Sequence, residues 1–261
     1  FAKENKDRYD CGGYIYVDEG QDLGQFWAKL AVGDGKIQKS SSNTAITKSN
    51  DCYSLSGATY GVYSDKGCTK SVATLTTNAS GNTDTVELRA ATYYVKETKA
   101  PKGFQLDKNV YTMTVKAGET STLKVSDTPK VTDTLVELFK IDMETSKATP
   151  QGNASLEGAE FVWKYYDGYY TKDNLPSEPT RTWTTKTIAE KDSKNEVHYI
   201  TRLADSYKVS GDSFFTQSGV ICLPLGTITV EEKSAPNGYL LEGAYMQAAG
   251  SSEQIKGVYV A

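Results

Sequence analysis

The sequence predicts an all-β protein made of tandem β-sandwiches, and three observations carry that expectation. Short runs rich in β-branched and aromatic residues alternate with a period of two: Tyr60–Tyr63, Val72–Leu75, Tyr93–Val95, Val110–Val115 and Thr122–Val125. Clusters of Gly, Asn, Asp and Ser separate them, at Ser64-Asp65-Lys66-Gly67, Asn78-Ala79-Ser80-Gly81-Asn82 and Lys116-Ala117-Gly118. Such residues tolerate the positive φ that tight hairpin connections demand. No stretch carries a long helical stripe, and short strands at this spacing are the pattern of sandwiches.

Composition narrows the function classes. A length of 261 residues suggests two domains, each with its own core. The balance of 29 Lys+Arg against 33 Asp+Glu gives a net charge of -4 and no basic stripe, so nucleic acid is not an expected partner. No apolar run reaches the roughly 20 residues of a membrane helix, so no membrane insertion is expected in this segment. No basic-then-apolar leader starts at Phe1, and any signal is expected to lie outside this sequence or to have been removed. The single histidine, His198, excludes imidazole-rich metal sites, and Ser–His or Cys–His catalysis would have to run through it. Cys11, Cys52, Cys68 and Cys222 have no CxxC spacing, so no zinc site is expected, and nothing implies a metal or a cofactor. Cys52 and Cys68 flank the strand around Ala58–Tyr63, and a disulfide between them is expected in an oxidising compartment. The alternative is four separate buried thiols.

An internal repeat organises the chain. The first copy holds Gly35-Lys36-Ile37-Gln38-Lys39, then Leu55-Ser56-Gly57-Ala58, then Tyr93-Tyr94-Val95-Lys96-Glu97-Thr98-Lys99-Ala100-Pro101-Lys102-Gly103-Phe104. The second holds Leu135-Val136-Glu137-Leu138-Phe139-Lys140, then Leu156-Glu157-Gly158-Ala159, then Ile228-Thr229-Val230-Glu231-Glu232-Lys233-Ser234-Ala235-Pro236-Asn237-Gly238-Tyr239. Lys39 to Leu55 and Lys140 to Leu156 are both 16 positions. Leu55 to Glu97 is 42 and Leu156 to Glu232 is 76, so the second copy carries a 34-residue insertion, placed within Tyr165–Gly219. The expected domains are residues 35–129 and 130–261, joined at Thr128-Pro129-Lys130-Val131-Thr132, where the proline stops the preceding strand. Residues 1–34 do not fit the repeat. Tyr14–Val17 and Phe26–Val32 alternate like strands, as a remnant of an upstream domain or an extra hairpin.

These elements resemble the Cna protein B-type fold, the prealbumin-like, Ig-like sandwich of SpaA-type pilins and other Gram-positive surface proteins. The resemblance covers most of residues 35–261. Its most specific element, Y-x-V-x-E-T-x-A-P-x-G-[YF], is almost intact at Tyr93–Phe104. The second copy is looser, with Ile228 for the first aromatic and Lys233-Ser234 for Thr-Lys, and the L-x-G-A element occurs in both copies.

The resemblance implies an amide between a Lys side chain on the first strand and an Asn or Asp on the last, assisted by a buried Glu. A Lys amine attacks only when neutral, and burial in an apolar core favours that form. A carboxyl carbon is a poor electrophile, and a Glu kept protonated by the same core can polarise it and carry the proton to the leaving group. By position Lys39 is the nucleophile, Glu97 the shuttle and Asp127 the acceptor, losing water where an Asn would lose ammonia. The alternative leaves Lys39 and Asp127 as solvated ends of edge strands. Lys36 is a rival nucleophile that alternation turns to the opposite side. In the second copy Lys140 and Glu232 match, but no Asn or Asp follows Asn237. Asp127 is 30 positions after Glu97, and the same count from Glu232 gives position 262. The second domain is therefore expected to be cut short of its acceptor or to lack the bond, leaving a Lys140–Glu232 salt bridge.

The function implied is a structural module of a cell-surface adhesin or pilus-like stalk, extracellular and cell-wall-associated, that cross-links itself once and is not a turnover enzyme. Its partners would be other domains of the same surface polypeptide. The runner-up is a binding module that recognises a host glycan or protein through the insertion, rich in Tyr165–Tyr170 and including Trp183, with Trp163 nearby; the same aromatics also suit core packing. A hydrolase would depend on His198, which the strand Glu196–Ile200 makes a surface or packing residue. Asp167, Asp173 and Asn174 lack EF-hand spacing. Leu223-Pro224-Leu225-Gly226-Thr227 has the composition of a wall-sorting signal in the wrong order, and reads as core.

Overall fold

The computed structural model describes residues 28–132 and 136–261. It divides into two units: residues up to Ser42 with Ser54–Thr128, and Asn43–Tyr53 with Pro129–Ala261. The break lies one residue before the boundary read from the repeat. Two details differ from that reading. The first strand already begins at Val32, and residues 43–53 belong to the second unit. Cys11, Tyr14–Val17, Phe26 and Leu135 lie outside the described residues.

The first stretch of chain forms β1 (Val32–Ser41), a single helical turn α1 (Thr44–Thr47), β2 (Thr59–Tyr63), β3 (Ser71–Thr76), β4 (Val86–Arg89), β5 (Ala91–Lys99), β6 (Val110–Val115) and β7 (Thr120–Asp127). In the first unit β4-β1-β7 make one sheet, with β1 antiparallel to β4 and parallel to β7. The antiparallel sheet β3-β2-β5-β6 makes the other. Ile37, Tyr60, Val62, Val95, Met113 and Val125 form the core, each worth roughly 1.5–3 kcal/mol on leaving water. Alternation explains which side chains point there. On β1 it buries Gly33, Gly35, Ile37 and Lys39, and Lys36 takes the other face. A Cβ at Gly35 would sit 2.7 Å from Met113 Cε, so a side chain there would make the end of that methionine shift.

The second unit holds β8 (Val131–Thr132), β9 (Glu137–Lys140), β10 (Glu160–Tyr166), β11 (Arg181–Lys186), β12 (Ile188–Lys191), β13 (Val197–Arg202), β14 (Lys208–Gly211), β15 (Thr216–Gln217), β16 (Val220–Ile221), β17 (Leu223–Pro224), β18 (Thr227–Ser234) and β19 (Tyr259–Val260). Its sheets are β14-β11-β10-β18-β19 and β12-β13-β9, with the pairs β15-β16 and β17-β8 beside them. Leu223–Thr227 lies on β17 and the start of β18, with Pro224 and Thr227 buried. Residues 43–53 join this unit through polar contacts. Asn50 Nδ2 donates to Tyr165 Oη at 2.9 Å and to the Leu225 carbonyl at 3.1 Å, and Tyr53 Oη donates to the Lys130 carbonyl at 2.6 Å.

The repeat is visible as two matching turns. Gly57 and Gly158 hold φ of 86° and 88°. Behind them Thr77 Oγ1 donates to the Leu55 carbonyl and accepts from Ala58 N–H, at 2.6 and 3.0 Å. Thr187 does the same with Leu156 and Ala159, at 2.7 and 3.0 Å. The extra residues of the second copy enter at two places. Ala58 to Thr77 is 19 positions against 28 for Ala159 to Thr187, and Thr77 to Glu97 is 20 against 45 for Thr187 to Glu232. The aromatics of this region mostly serve the core: Trp163, Trp183 and Tyr207 are fully buried. Trp163 Nε1 donates to Thr185 Oγ1 at 2.8 Å, and only Tyr169 is well exposed among the large tyrosines of the Tyr165–Tyr170 run.

Candidate functional site

The sandwich of the first unit brings three sequence-picked residues to one point in its core. β1 points Lys39 inward, and β7, parallel to it, points Asp127 inward from the same sheet. β5 supplies Glu97 from the facing sheet, and β2 places Tyr60 opposite Glu97 in register. Lys39 Nζ donates to Glu97 Oε1 at 2.7 Å and to Tyr60 Oη at 2.9 Å, and Asp127 Oδ2 lies against the same nitrogen. The side chains of Lys39, Glu97 and Asp127 are all 0% exposed. Glu97 is aimed by its other oxygen, which accepts Asp107 N–H at 2.8 Å.

Asp127 differs from an ordinary buried carboxylate. Apart from its contact with the lysine, neither of its oxygens has a hydrogen-bond donor among the described residues. Burial pushes its carboxyl up to about 6, against the pull of Lys39. Tyr60 is held well above the ordinary phenol range, first by burial and then by the Glu97 and Asp127 charges, so it stays a phenol.

In the second unit β9 and β18 bring Lys140 and Glu232 together. Nζ donates to both Glu232 oxygens at 2.7 Å. The side chains are 16% and 11% exposed, so water reaches this pair. Phe161 pairs with Glu232 where Tyr60 pairs with Glu97, and it offers no hydroxyl. Asp142, two residues past Lys140, is buried but fully engaged. It accepts from Glu144 N–H, Thr145 N–H, Thr145 Oγ1, Gln151 Nε2 and Tyr239 Oη at 2.8–3.1 Å. Those donors, the Gln151 amide foremost, hold it far below the usual carboxylate range.

The remaining sequence-picked residues fall elsewhere. Cys52 and Cys68 are not joined, which corrects the expected disulfide. Cys68 is a free thiol at a positive φ of 53° in the turn closed by Asp65, and its Sγ donates to the Lys66 carbonyl at 3.8 Å. Cys52 is buried and belongs to the other unit. His198 sits on β13 with its ring edge-on to Phe139, 5.9 Å between centroids, and Nε2 is 3.3 Å from Asp192 Oδ2. With Glu196 these two could offer three ligand atoms within 4.8 Å, in the exposed β12–β13 turn. Asn174 closes its own turn by accepting from Thr171 N–H at 2.6 Å. Sequence reasoning missed Tyr60 and Asp107. Tyr60 had a signal, since it stands two residues after the L-x-G-A element. Asp107 contributes only a backbone N–H, which leaves no mark in a sequence.

The family model described as "SpaA: Prealbumin-like fold domain" matches residues 42–129, about a third of the chain, and the fold there is prealbumin-like. Among solved structures, the Bacillus anthracis TIE protein is similar over 80% of this chain at 25% identity and a TM-score of 0.45. The match takes in 29% of that protein, so this chain spans well under half of its length. A C-terminal fragment of the pilus adhesin SpaC from Lactobacillus rhamnosus GG is similar over 80% of this chain and 78% of its own, at 18% identity and a TM-score of 0.41. BcpA, the major pilin subunit of Bacillus cereus, covers 88% of this chain and 94% of its own at 13% identity and a TM-score of 0.33. None of the curated proteins compared with the chain matches it. No helix among the described residues is long and apolar enough to cross a membrane. The matched residues include Glu97 and Asp127, and Lys39 lies three positions before them.

Proposed function

We propose that this chain is a structural module of a Gram-positive surface adhesin or pilus-like stalk, exposed at the cell wall, and that its first unit locks itself with a Lys39–Asp127 isopeptide bond. The observation that carries the reading is the bare Asp127 carboxyl against Lys39 Nζ, with Glu97 at 2.7 Å from the same nitrogen. Nζ adds to Asp127 Cγ, Glu97 Oε1 takes the amine proton, and the proton passes to the departing hydroxyl. The Nζ–Cγ bond forms, one Cγ–O bond breaks, and water leaves. Held in contact, the two groups need no further activation than loss of charge, because proximity supplies the effective molarity. Asp127, pushed up to about 6, can carry the required proton near neutral pH. The reaction happens once per chain, so no turnover is expected. Other domains of the same surface polypeptide are the expected partners. A second reading, recognition of a host glycan or protein through the insertion, would rest on exposed residues such as Tyr169, since Trp163 and Trp183 are buried.

The test is the intact mass of the reduced, denatured protein. A deficit of about 18 Da, with a branched peptide joining Lys39 to Asp127 after digestion, supports the reading. The full mass in natively folded material overturns it.

A further inference from the structure

β5 and β6 are paired neighbours, yet residues 100–109 join them by a long way round. A hairpin turn needs only about two to five residues. The extra length is tied down at several points. Phe104 is 1% exposed, sunk into the first unit. Gln105 N–H donates to the Thr128 carbonyl at 3.0 Å, one residue past Asp127. Asp107 N–H donates to Glu97 Oε2 at 2.8 Å. The Asp107 carboxylate is held in turn: Oδ1 accepts Asn109 N–H at 2.9 Å, and Oδ2 accepts the hydroxyl of Tyr111, on β6, at 2.5 Å. One loop therefore holds both the glutamate and the chain next to the acceptor. Glu97 and Asp127 stand on facing sheets, so no strand ladder fixes the distance between them. The second unit gives a contrast. Glu232 turns both oxygens to Lys140 at 2.7 Å, whereas Glu97 keeps Oε2 on Asp107 and presents Oε1 to Lys39.

We propose that Tyr111 is a positioning residue for the Lys39–Asp127 cross-link: its hydroxyl latches Asp107, and the latched loop holds Glu97 in the orientation that serves both reacting groups. This role rests on the isopeptide reading given above. Tyr111 touches none of the reacting atoms and acts through Asp107. With Oε2 engaged by the Asp107 N–H, Oε1 is the atom that takes the amine proton and returns it to the departing hydroxyl. Tyr111 stays a donor throughout, because its bond to Asp107 and then burial hold its phenol above the ordinary range. A Glu97 released from Asp107 regains rotamers in which Oε1 no longer lies between amine and acceptor. A misplacement of about 1 Å is enough to cost on the order of 100-fold in rate.

The test starts from full chain purified in urea at its full mass and diluted into buffer. Loss of about 18 Da is timed by intact mass after acid quench, and the folded fraction is followed by circular dichroism at the same times. Tyr111→Phe should lower the plateau rate roughly 10–100-fold among folded chains. The break near pH 6 belongs to Asp127 and should stay where it is. Asp107→Ala should slow bonding as much, and the double variant no more than either alone. Asp107→Asn keeps an oxygen for Tyr111 and should stay near the wild-type rate. Equal rates for wild type and Tyr111→Phe overturn the role of Tyr111 and leave the bond standing. So does slowing that is fully accounted for by a smaller folded fraction, because a latch changes the rate of chains already folded. Asp107→Asn as slow as Asp107→Ala also overturns it. A wild-type chain that folds and keeps its full mass overturns the Lys39–Asp127 bond, and the role of Tyr111 with it.

Discussion

The two units carry the same lysine–glutamate pair at the same place in the repeat, and the pair has different surroundings in each. Under β7, Lys39 and Glu97 are sealed from water with a third group, Asp127, whose contact is with the Lys39 amine. On β9, which pairs with β13 among the described residues, Lys140 and Glu232 satisfy each other and remain in reach of solvent. The nearby carboxylate of the second unit, Asp142, is saturated with donors and therefore inert as an electrophile. The difference is that beside β1 a flanking strand, β7, sets a carboxyl against the Lys–Glu pair. It brings the acceptor and removes the water together.

The comparison can be broken most forcefully at the two glutamates. Glu97→Ala should restore the full mass and release the loop closed between Lys39 and Asp127, a loss of roughly 4–5 kcal/mol. Glu232→Ala should cost only about 1 kcal/mol, because water can replace its partner. Urea unfolding of the two variants measures both, and equal losses would show that the units do not differ in the way described.

Acid should distinguish Asp127 by rate. On the proposed route the pair reacts with a single proton between its two groups. Below about pH 6 Asp127 takes up another. Bond formation during refolding of unbonded chain should therefore slow by roughly tenfold per pH unit below that point and level off above it. Asp127→Asn should remove the break near 6. Asp142 carries the opposite sign. Its folded value is depressed, so its contribution to the second unit is present above the ordinary carboxylate range near 4 and fades as pH falls below it.

Thr77→Val and Thr187→Val sharpen the comparison from the other side, because they should be alike. Each leaves the N–H of Ala58 or Ala159 without its acceptor, at a cost of about 1–3 kcal/mol in either unit by denaturant titration. The smallest effect should come from exchanging the aromatic partners. Tyr60→Phe removes one hydrogen bond from Lys39, worth about 1 kcal/mol, and should slow cross-linking, while Phe161→Tyr should change stability by a few tenths of that.

Much of this was legible in the sequence where local rules govern. Position in the resemblance picked Lys39 and alternation put Lys36 on the other face, and the glycines of L-x-G-A and P-x-G stand at positive-φ turns, Gly57, Gly158, Gly103 and Gly238, that recur in both units. What escaped was set by contacts distant in the chain. Residues 43–53 keep the 16-position spacing of the repeat, yet Asn50 finds its partners 115 and 175 residues away. The twin threonines were hidden because insertions shift their spacing, and Thr is too common to stand out by type. The tryptophans looked like a binding surface because composition cannot tell an exposed aromatic from a core one. The Cys52–Cys68 pairing rested on proximity in sequence, and the two cysteines belong to different units.

Parallel pairing of β1 with β7 has one more consequence. Tension on a domain whose first and last strands lie side by side and parallel acts along the strands, and the ladder between them must slide as a whole before it fails. With Lys39 joined to Asp127, the load would enter at Val32, cross the amide, and leave after Asp127 without passing through residues 40–126. Roughly 300 Å of contour length would then be withheld from stretching. The unit would behave as a short inextensible link, and its folded core would sit beside the load path instead of in it.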